Sequence, residues 1–507
     1  MSGIFRALVA LIAAGLIAVS LWQLGAQTQN LLVSTAKIGP IPVTIFNPSD
    51  LGRRPVVVIA HGFAGSQQLM RSIAATLARN GYIAITFDFS GHGRNVRPMQ
   101  GGIRDMKTSE ALLLSELDRV VGLAKTLDRS DGRVGLVGHS MAAELVVRFA
   151  MDRTDIEGIA ALSLFGREVT ATRPRNLLVV AGAWEPAILT EAGRRIASLA
   201  AGGRAEIGVT YGDIESGTAR RAALARGAEH IGVIYSQDAL RETVDWMNIV
   251  FAEKSNGNLE KSGGWIALLF LGLILLAYPL SNLLPTVTKE MADTRKPGWG
   301  NGWLAVLAPA IITPLLLWRI PTDFLPILLG DYLAIHFAIY GLLTGLFVLL
   351  ARRRIAIRRP RPSLSLLFAA AVLIAGYQIL AIGLPVDLYV TSFVPDGQRW
   401  PVAVAMCLAT LIYFLADAAL LRSFPGLRGG YAATKFFFVV SLGIAVAINP
   451  PRLFFLAIIV PVIAILFIVY GLFHRWAVKA TNEEFAPALG NAIALAWAIA
   501  VTFPIVS

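Results

Sequence analysis

The second half of this chain consists mainly of long apolar runs, and this feature restricts the fold more than any other. Residues 263–507 are interrupted only by short polar loops, whereas residues 31–262 have the mixed composition of a globular domain. Of the 507 residues, 55% are hydrophobic and 15% are charged, which is too apolar for a protein that is soluble throughout. The sequence therefore predicts two parts, one of which lies in a lipid bilayer.

The apolar runs are long enough to form membrane-spanning helices. A helix needs roughly 20 residues to cross a hydrocarbon core of about 30 Å. Residues 1–26 contain one such run, which we interpret as an uncleaved anchor, with a cleaved signal peptide as the alternative. The second half contains the other candidate spans, at 264–284, 302–320, 326–350, 364–386, 401–421, 431–449, 453–473 and 486–506.

Lysine and arginine are concentrated in alternate loops between these spans. Because basic loops remain in the cytoplasm, the pattern predicts a cytoplasmic N-terminus, with residues 27–262 and the C-terminus outside the membrane. It also explains the net charge of +12 without a nucleic-acid partner. The basic loops are 285–301, 351–363, 422–430 and 474–485, which carry Lys289, Arg295, Lys296, Arg352, Arg353, Arg354, Arg358, Arg359, Arg361, Arg422, Arg428, Arg475 and Lys479.

Four ionisable residues fall inside predicted spans, where a charge is costly. We expect Asp331 to lie near the outer surface and Asp417 to pair with Lys435 towards the inner end; His336 is the fourth. The alternative to such structural roles is a path for protons or substrate through the membrane.

Residues 31–252 alternate short apolar runs with helical patterns. Continuous apolar strands indicate burial on both faces, which is typical of a mainly parallel sheet covered by helices. We expect two antiparallel strands first, at 31–37 and 41–46. The other predicted strands are 55–60, 82–87, 134–138, 158–165, 176–182 and 221–225, and the predicted helices are 66–79, 108–128, 141–150, 187–200 and 237–252.

Three motifs stand where predicted strands end, at the edge where parallel sheets carry their chemistry. They are His61-Gly62-Phe63-Ala64-Gly65-Ser66, Asp88-Phe89-Ser90-Gly91-His92-Gly93 and Gly138-His139-Ser140-Met141-Ala142. With these motifs in register, residues 31–252 resemble the α/β-hydrolase superfamily, in particular its lidless esterases and dienelactone hydrolases. The resemblance implies an α/β-hydrolase fold and makes Ser140 the nucleophile on a strained strand-to-helix turn. Ala142 stands where that family usually has glycine, which adds one methyl group to the turn.

A serine needs a base to accept its proton, and His230 is the candidate. In this family the order along the chain is serine, acid, histidine, and His230 alone among the six histidines follows Ser140 within residues 31–262. Glu185, three residues after Gly182, stands where the family places its acid, although as glutamate instead of aspartate. Asp213 is the alternative acid.

The resemblance also implies an oxyanion hole built from the backbone N–H groups of Phe63 and Met141. Asp88 and His92 are expected to brace their turn instead of reacting. Ser66 is expected to cap the helix that follows it.

The predicted domains are an anchor at 1–26, an extracytoplasmic α/β-hydrolase domain at 27–256 and an all-α transmembrane domain of about eight helices at 257–507. About ten residues separate the strands ending at 165 and starting at 176, too few for a helical lid, so an open site is expected. We expect no metal or other cofactor, and the single cysteine, Cys407, excludes an intramolecular disulfide.

The sequence thus favours a serine hydrolase of the bacterial cytoplasmic membrane, whose periplasmic domain cleaves carboxylic esters of a lipid-like or acylated envelope substrate. Thioester hydrolysis, acyl transfer and peptide cleavage would use the same residues. The alternative is a transporter or envelope-assembly protein whose α/β module binds a partner or transfers an acyl group. Oligomers could form through the apolar helices.

Overall fold

The structure, a computed structural model, describes residues 3–50, 52–102, 105–166, 168–288, 302–352, 361–424 and 429–507. Several of the basic loop residues used to predict the topology lie outside the described residues: Lys289, Arg295, Lys296, Arg353, Arg354, Arg358, Arg359 and Arg428. The chain divides into two compact units. One unit comprises Ala18–Leu269, Val386–Ser392 and Pro504–Ser507, and the other comprises Met1–Ile17, Phe270–Pro385 and Phe393–Phe503.

The first of these units is built on a nine-stranded sheet with the order β1-β2-β4-β3-β5-β6-β7-β9-β8. Strands β4, β3, β5, β6, β7 and β9 pair in this order as a parallel sheet, while β1 pairs antiparallel with β2, β2 with β4, and β8 with β9. The strands are β1 (Leu31–Ile38), β2 (Ile41–Pro48), β3 (Arg54–Ala60), β4 (Ile83–Phe87), β5 (Ser130–His139), β6 (Gly158–Leu162), β7 (Leu177–Gly182), β8 (Thr210–Tyr211) and β9 (Arg220–Ala225).

Helices cover both faces of this sheet. Along β9, Ala223 faces the core that contains Trp246 of α6, and Ala222 faces the one that contains Ala197 of α5, because alternate residues of a strand point to opposite faces. The helices of this unit are α2 (Arg71–Arg79), α3 (Met106–Thr126), α4 (Met141–Ala150), α5 (Ala187–Ala201) and α6 (Gln237–Phe251), together with the last turns of α1 (Gly3–Ala26) and the first turns of α7 (Ser262–Leu280).

The predicted α/β fold is confirmed, with differences at three places. Strand β6 ends at Leu162 and not at 165, because Ser163 adopts a φ of 61° that a strand cannot continue through. Helix α2 begins at Arg71, with Met70 as its N-cap, so the prediction that Ser66 caps it is wrong. The two-residue strand β8 was not predicted, since so short a strand leaves no periodic pattern.

The other unit consists of helices. They are the first turns of α1, most of α7, α8 (Gly302–Leu317), α9 (Gly330–Arg352), α10 (Leu364–Gly376), the first three residues of α11 (Gly383–Tyr389), α12 (Arg399–Ser423), α13 (Gly430–Ile448), α14 (Pro450–Thr481) and α15 (Phe485–Thr502). Residues Tyr377–Ile382 form a π-helical segment that joins α10 to α11.

Eight helices of the described chain are long and apolar enough to cross a membrane. They match eight of the nine predicted spans. The remaining predicted span, 302–320, contains the 16-residue helix α8, which carries Pro309 and Pro314 and ends at Leu317.

Within the helical unit, the predicted pair of charges is present. Lys435 Nζ lies 2.5 Å from Asp417 Oδ2, and the two residues join α13 to α12. The ammonium also lies 4.4 Å from the ring centroid of Tyr431 and 4.9 Å from that of Tyr413. Buried His336 lies 3.1 Å from the Ser441 hydroxyl.

Candidate active site

Ser140 occupies a strained turn between β5 and α4. Its φ of 56° and ψ of −118° lie in a region that residues with a side chain rarely adopt. A Cβ atom at Gly138 would lie 2.3 Å from the carbonyl oxygen of Ala142, so the strand and the helix approach closely because residue 138 is glycine. Ala142 is fully buried, and the turn therefore accommodates its extra methyl group.

His230 lies between the serine and a carboxylate. Its Nε2 atom is 2.9 Å from Ser140 Oγ, and its Nδ1 atom is 2.5 Å from Glu185 Oε1. The His230 side chain is 25% exposed, whereas that of Glu185 is fully buried. The structure thus brings the three predicted residues into one chain of hydrogen bonds that a substrate can approach from the serine side.

The carboxylate of Glu185 is held in place by two further donors. Its Oε2 atom accepts hydrogen bonds from the backbone N–H of Gly182, at 2.6 Å, and from the Ser163 hydroxyl, at 3.0 Å. Burial favours the neutral acid, but the hydrogen bonds from His230, Gly182 and Ser163 outweigh it and lower the pKa of Glu185. The acid is therefore a carboxylate that orients the imidazole.

Sequence reasoning missed Ser163. It follows β6, and its positive φ turns its hydroxyl towards the next strand end, where Glu185 lies. Because its neighbours, Leu162 and Leu164, are apolar, the sequence predicts that the strand continues through Ser163.

Asp213, the alternative acid, is not near His230. It lies in an exposed turn before β9, where its Oδ2 accepts the backbone N–H of Ser216 at 2.7 Å. That turn is at the amino end of β9, and His230 follows the carboxyl end. Glu229 accepts the N–H groups of Ile231 and Gly232 instead of contacting the histidine ring.

The loop that carries Phe63 lies against the serine. A Cβ atom at Gly62 would be 3.0 Å from both the Ser140 Cβ and the carbonyl oxygen of His139, so a larger residue would push the loop away. Met141, the other predicted oxyanion residue, is the first residue of α4. Both backbone positions thus adjoin Ser140.

Asp88 forms hydrogen bonds with Gln67, which follows this loop, and with Arg94. Its carboxylate accepts hydrogen bonds from the backbone N–H of Gln67 at 2.7 Å, the Gln67 amide at 2.7 Å and the backbone N–H of Arg94 at 3.0 Å. A Cβ atom at Gly93 would lie 2.4 Å from the Asp88 carboxylate, which fits the φ of 55° at that glycine. Asp88 therefore braces the turn, and its carboxylate has no contact with the Ser140 hydroxyl.

Two further histidines, His61 and His139, lie beside the site without joining the hydrogen-bonded chain. His61 Nδ1 lies 2.8 Å from the carbonyl oxygen of Gly62, and its Nε2 accepts the Phe89 N–H at 3.2 Å. His139 Nε2 lies 2.8 Å from the carbonyl oxygen of His230. Burial, with a smaller contribution from the neighbouring His230 ring, lowers the pKa of His139 to about 3, and burial also lowers the pKa of His61.

The segment between β6 and β7 is short, and its described residues, 163–166 and 168–176, contain no helix. Large apolar side chains are exposed after the carboxyl ends of β6, β7 and β9, the edge at which Ser140 lies: Phe165, Trp184, Ile188 and Ile231. Within the described part of the chain, no group of three or more His, Cys, Asp or Glu side chains has an arrangement that would hold a metal ion.

One family model and several solved structures match part of this chain. The model of the serine aminopeptidase (S33) family matches residues 52–191, a range that includes Ser140 and Glu185 and ends before His230. Among solved structures, the chain is similar to a predicted CIB-like hydrolase from Thermoplasma acidophilum, with 17% identity over 43% of this chain and 98% of that one and a TM-score of 0.33.

Est1E from Butyrivibrio proteoclasticus, solved with ferulic acid bound, is also similar, with 16% identity over 43% of this chain and 100% of that one and a TM-score of 0.33. TT1662 from Thermus thermophilus has 15% identity over 44% of this chain and 99% of that one, with a TM-score of 0.34. The sheet order, the strained serine turn and the family match together show that part of this chain has the α/β-hydrolase fold, and the same chain carries a set of long apolar helices.

Proposed function

We propose that this protein is a membrane-bound serine hydrolase that cleaves carboxylic esters through an acyl-serine intermediate. The observation that carries the proposal is the continuous chain of hydrogen bonds from Ser140 through His230 to buried Glu185. In this arrangement, Ser140 is the nucleophile, His230 the general base and Glu185 the residue that fixes the imidazole tautomer.

In the first half of the reaction, Ser140 Oγ attacks the ester carbonyl carbon while its proton moves to His230 Nε2. The carbonyl oxygen becomes an oxyanion, which the backbone N–H groups of Phe63 and Met141 stabilise. The tetrahedral intermediate then collapses: the bond to the alkoxy oxygen breaks, and the proton on His230 Nε2 passes to the leaving alcohol. The acyl group remains on Ser140.

In the second half, a water molecule attacks the acyl-serine and gives its proton to His230. Collapse of the second tetrahedral intermediate returns that proton to Ser140 Oγ and releases the carboxylic acid. The carboxylate of Glu185 stabilises the imidazolium in both halves, and its three hydrogen-bond donors keep it ionised.

An apolar acyl substrate suits the surroundings of the serine best. Phe165, Trp184, Ile188 and Ile231 expose large apolar surfaces around the strand ends, and Trp184 is 73% exposed. Such side chains favour lipid-like or acylated envelope substrates over charged peptides. Peptide cleavage stays the nearest alternative, since the matching family model is that of a serine aminopeptidase.

We place the hydrolase domain on the periplasmic side of a bacterial cytoplasmic membrane. The prediction of topology puts 27–262, the loop after 386 and the C-terminal residues on one side. That Val386–Ser392 and Pro504–Ser507 belong to the same compact unit as Ala18–Leu269 supports it, because the three segments must then share one side.

Substitution of the serine tests the proposal. The full-length protein in detergent should react with a fluorophosphonate probe and hydrolyse p-nitrophenyl butyrate, and S140A should lose both reactions. Ser216, in the exposed turn at the amino end of β9, provides a matched control, since S216A removes a hydroxyl at the edge of the sheet opposite the carboxyl ends and should keep both reactions. A wild-type protein that neither reacts with the probe nor cleaves the ester would refute the proposal.

A second candidate function is transport or envelope assembly, with the α/β module binding a partner or transferring an acyl group. The described residues include eight helices long and apolar enough to cross a membrane, which is more than an anchor needs, and the Asp417–Lys435 ion pair is buried. Two results together would favour this function over the hydrolase. S140A and the wild-type protein would both carry a solute into proteoliposomes, and the wild-type protein would not react with the fluorophosphonate probe.

A further inference from the structure

Two short segments from the apolar half of the sequence belong to the compact unit of the hydrolase domain. One is Val386–Ser392, between π-helical residues 377–382 and α12, and the other is Pro504–Ser507, after α15. They contact the loops next to Ser140, although the sequence predicts that Val386 and residues 504–506 belong to membrane spans.

The 386–392 segment contacts Gln68 and Arg94, two residues in the loops around Asp88. The Gln68 amide donates to the Ser392 hydroxyl at 3.0 Å and to the carbonyl oxygen of Asp387 at 3.3 Å. The carboxylate of Asp387 lies 2.8 Å from Arg94 Nη2. Gln68 follows Gln67, and both Gln67 and Arg94 donate backbone N–H groups to the Asp88 carboxylate.

The 504–507 segment pairs with the turn that follows β4. Ile505 N–H donates to the carbonyl oxygen of Gly91 at 2.9 Å, Met99 N–H donates to the carbonyl oxygen of Ile505 at 2.9 Å, and Ser507 N–H donates to the carbonyl oxygen of Met99 at 3.1 Å. A Cβ atom at Gly91, where φ is 77°, would lie 2.4 Å from the carbonyl oxygen of Ile505. The segment can therefore lie this close to the turn only because residue 91 is glycine.

The turn that these segments hold is in contact with the oxyanion loop. The ring of His92, the neighbour of Gly91, packs edge-to-face against Phe63, with centroids 6.2 Å apart, and lies tilted against the ring of His61, at 5.2 Å. His61 in turn bonds the carbonyl oxygen of Gly62. A continuous path of contacts thus leads from residues 387 and 505 to the backbone at Gly62 and Phe63, beside Ser140.

We propose that the 386–392 and 504–507 segments position the oxyanion loop of the hydrolase, so that turnover depends on residues contributed by the apolar half of the chain. Asp387 and Ile505 are positioning residues in this proposal, which rests on the proposed function. Displacing the oxyanion donors reduces the stabilisation of the transition state and leaves binding of the substrate in the ground state unchanged.

Two pairs of full-length variants in detergent test this. I505P removes the N–H that bonds Gly91, whereas V506P is its control, because the Val506 N–H makes no hydrogen bond to the described residues. D387A removes the partner of Arg94, and D152A is its control, because it breaks an aspartate–arginine pair on an exposed surface, with Arg173. D387A also serves if I505P does not fold.

The readouts are kcat and KM for p-nitrophenyl butyrate and the inhibition constant of a trifluoromethyl ketone, whose adduct with serine places an oxyanion in the same hole. We expect I505P and D387A to lower kcat roughly tenfold and to weaken the inhibitor by the same factor, with KM unchanged. V506P and D152A should match the wild type.

Equal kcat and inhibition constants in each pair would overturn the proposal, and so would a loss of kcat that leaves the inhibition constant unchanged, since that marks a general structural effect. These results are distinct from failure of the proposed function. In that case the wild-type protein itself would neither turn over the ester nor bind the ketone.

Discussion

Substitution of Glu185 by glutamine separates the role of its charge from its shape. The carboxylate is fully buried, and its Oε2 accepts two donors, Gly182 N–H and the Ser163 hydroxyl. In the glutamine variant, the amide oxygen replaces Oε2 at these donors, so that the amide NH2 faces His230 Nδ1. Two donors cannot share one hydrogen bond, and Nδ1 must become the acceptor.

This arrangement moves the imidazole proton to Nε2, the atom 2.9 Å from Ser140 Oγ. A protonated Nε2 cannot accept the serine proton, and a change to the wrong tautomer in a serine triad lowers kcat about 10⁴-fold. That factor corresponds to about 5 kcal/mol of transition-state stabilisation. We therefore expect E185Q to hydrolyse p-nitrophenyl butyrate about 10⁴-fold more slowly than the wild type, with little change in KM.

The matched control is D213N, at the alternative acid, which lies in an exposed turn and should keep wild-type turnover. Melting temperatures of both variants should stay near that of the wild type, because the glutamine keeps the hydrogen bonds to Gly182 and Ser163. A loss of less than about tenfold in E185Q, together with complete loss in S140A, would show that Glu185 does not orient the base.

Three further predictions concern residues around the triad. G138A should lower kcat by about 100-fold or more, because its Cβ would meet the carbonyl oxygen of Ala142 at 2.3 Å. A142G should retain activity, and equal turnover in the two variants would contradict this account of the turn. S163A should reduce kcat/KM roughly tenfold by removing one donor to the catalytic carboxylate, and an unchanged value would exclude that role. His139 stays neutral in the folded protein down to pH about 3, whereas in the unfolded chain it takes a proton below pH about 6.5. Its protonation in the unfolded chain therefore lowers the free energy of unfolding progressively as the pH falls through this window. Chemical denaturation at pH 7.5 and pH 5 should show a loss of about 2 kcal/mol from this residue, absent in H139Q; identical pH dependence in both proteins would refute it.

The sequence was sufficient to predict the fold because its signals are local. Apolar runs such as 55–60 and 176–182 coincide with β3 and β7 almost residue for residue, and glycine-rich motifs mark their carboxyl ends. The candidate triad was accessible for the same reason: a serine after a strand, one later histidine and an acid at a strand end. Glu185 was preferred over Asp213 from position alone, and the geometry agrees with that preference.

What the sequence did not predict depends on long-range contacts. Ser163 supports Glu185 through a positive φ that its neighbours, Leu162 and Leu164, do not encode. The hydrogen bonds from Gln68 to Asp387 and from Ile505 to Gly91 join residues hundreds of positions apart, and of these four residues only Gly91 belongs to a motif. Local periodicity contains no information about such pairs.

The discontinuity of the hydrolase unit bears on the order in which the molecule is made. The whole sheet lies within residues 31–225, so its strands can pair while the chain is still being synthesised. Val386–Ser392 follows only after α7 to α10, and Pro504–Ser507 only after α15. A nascent chain therefore has its serine elbow long before the turn at Gly91 has its hydrogen-bond partners, and if the segments position the oxyanion loop as proposed, activity should appear only once the last apolar helix is complete. An excised fragment that ends at 256 would retain the sheet and resemble this immature state.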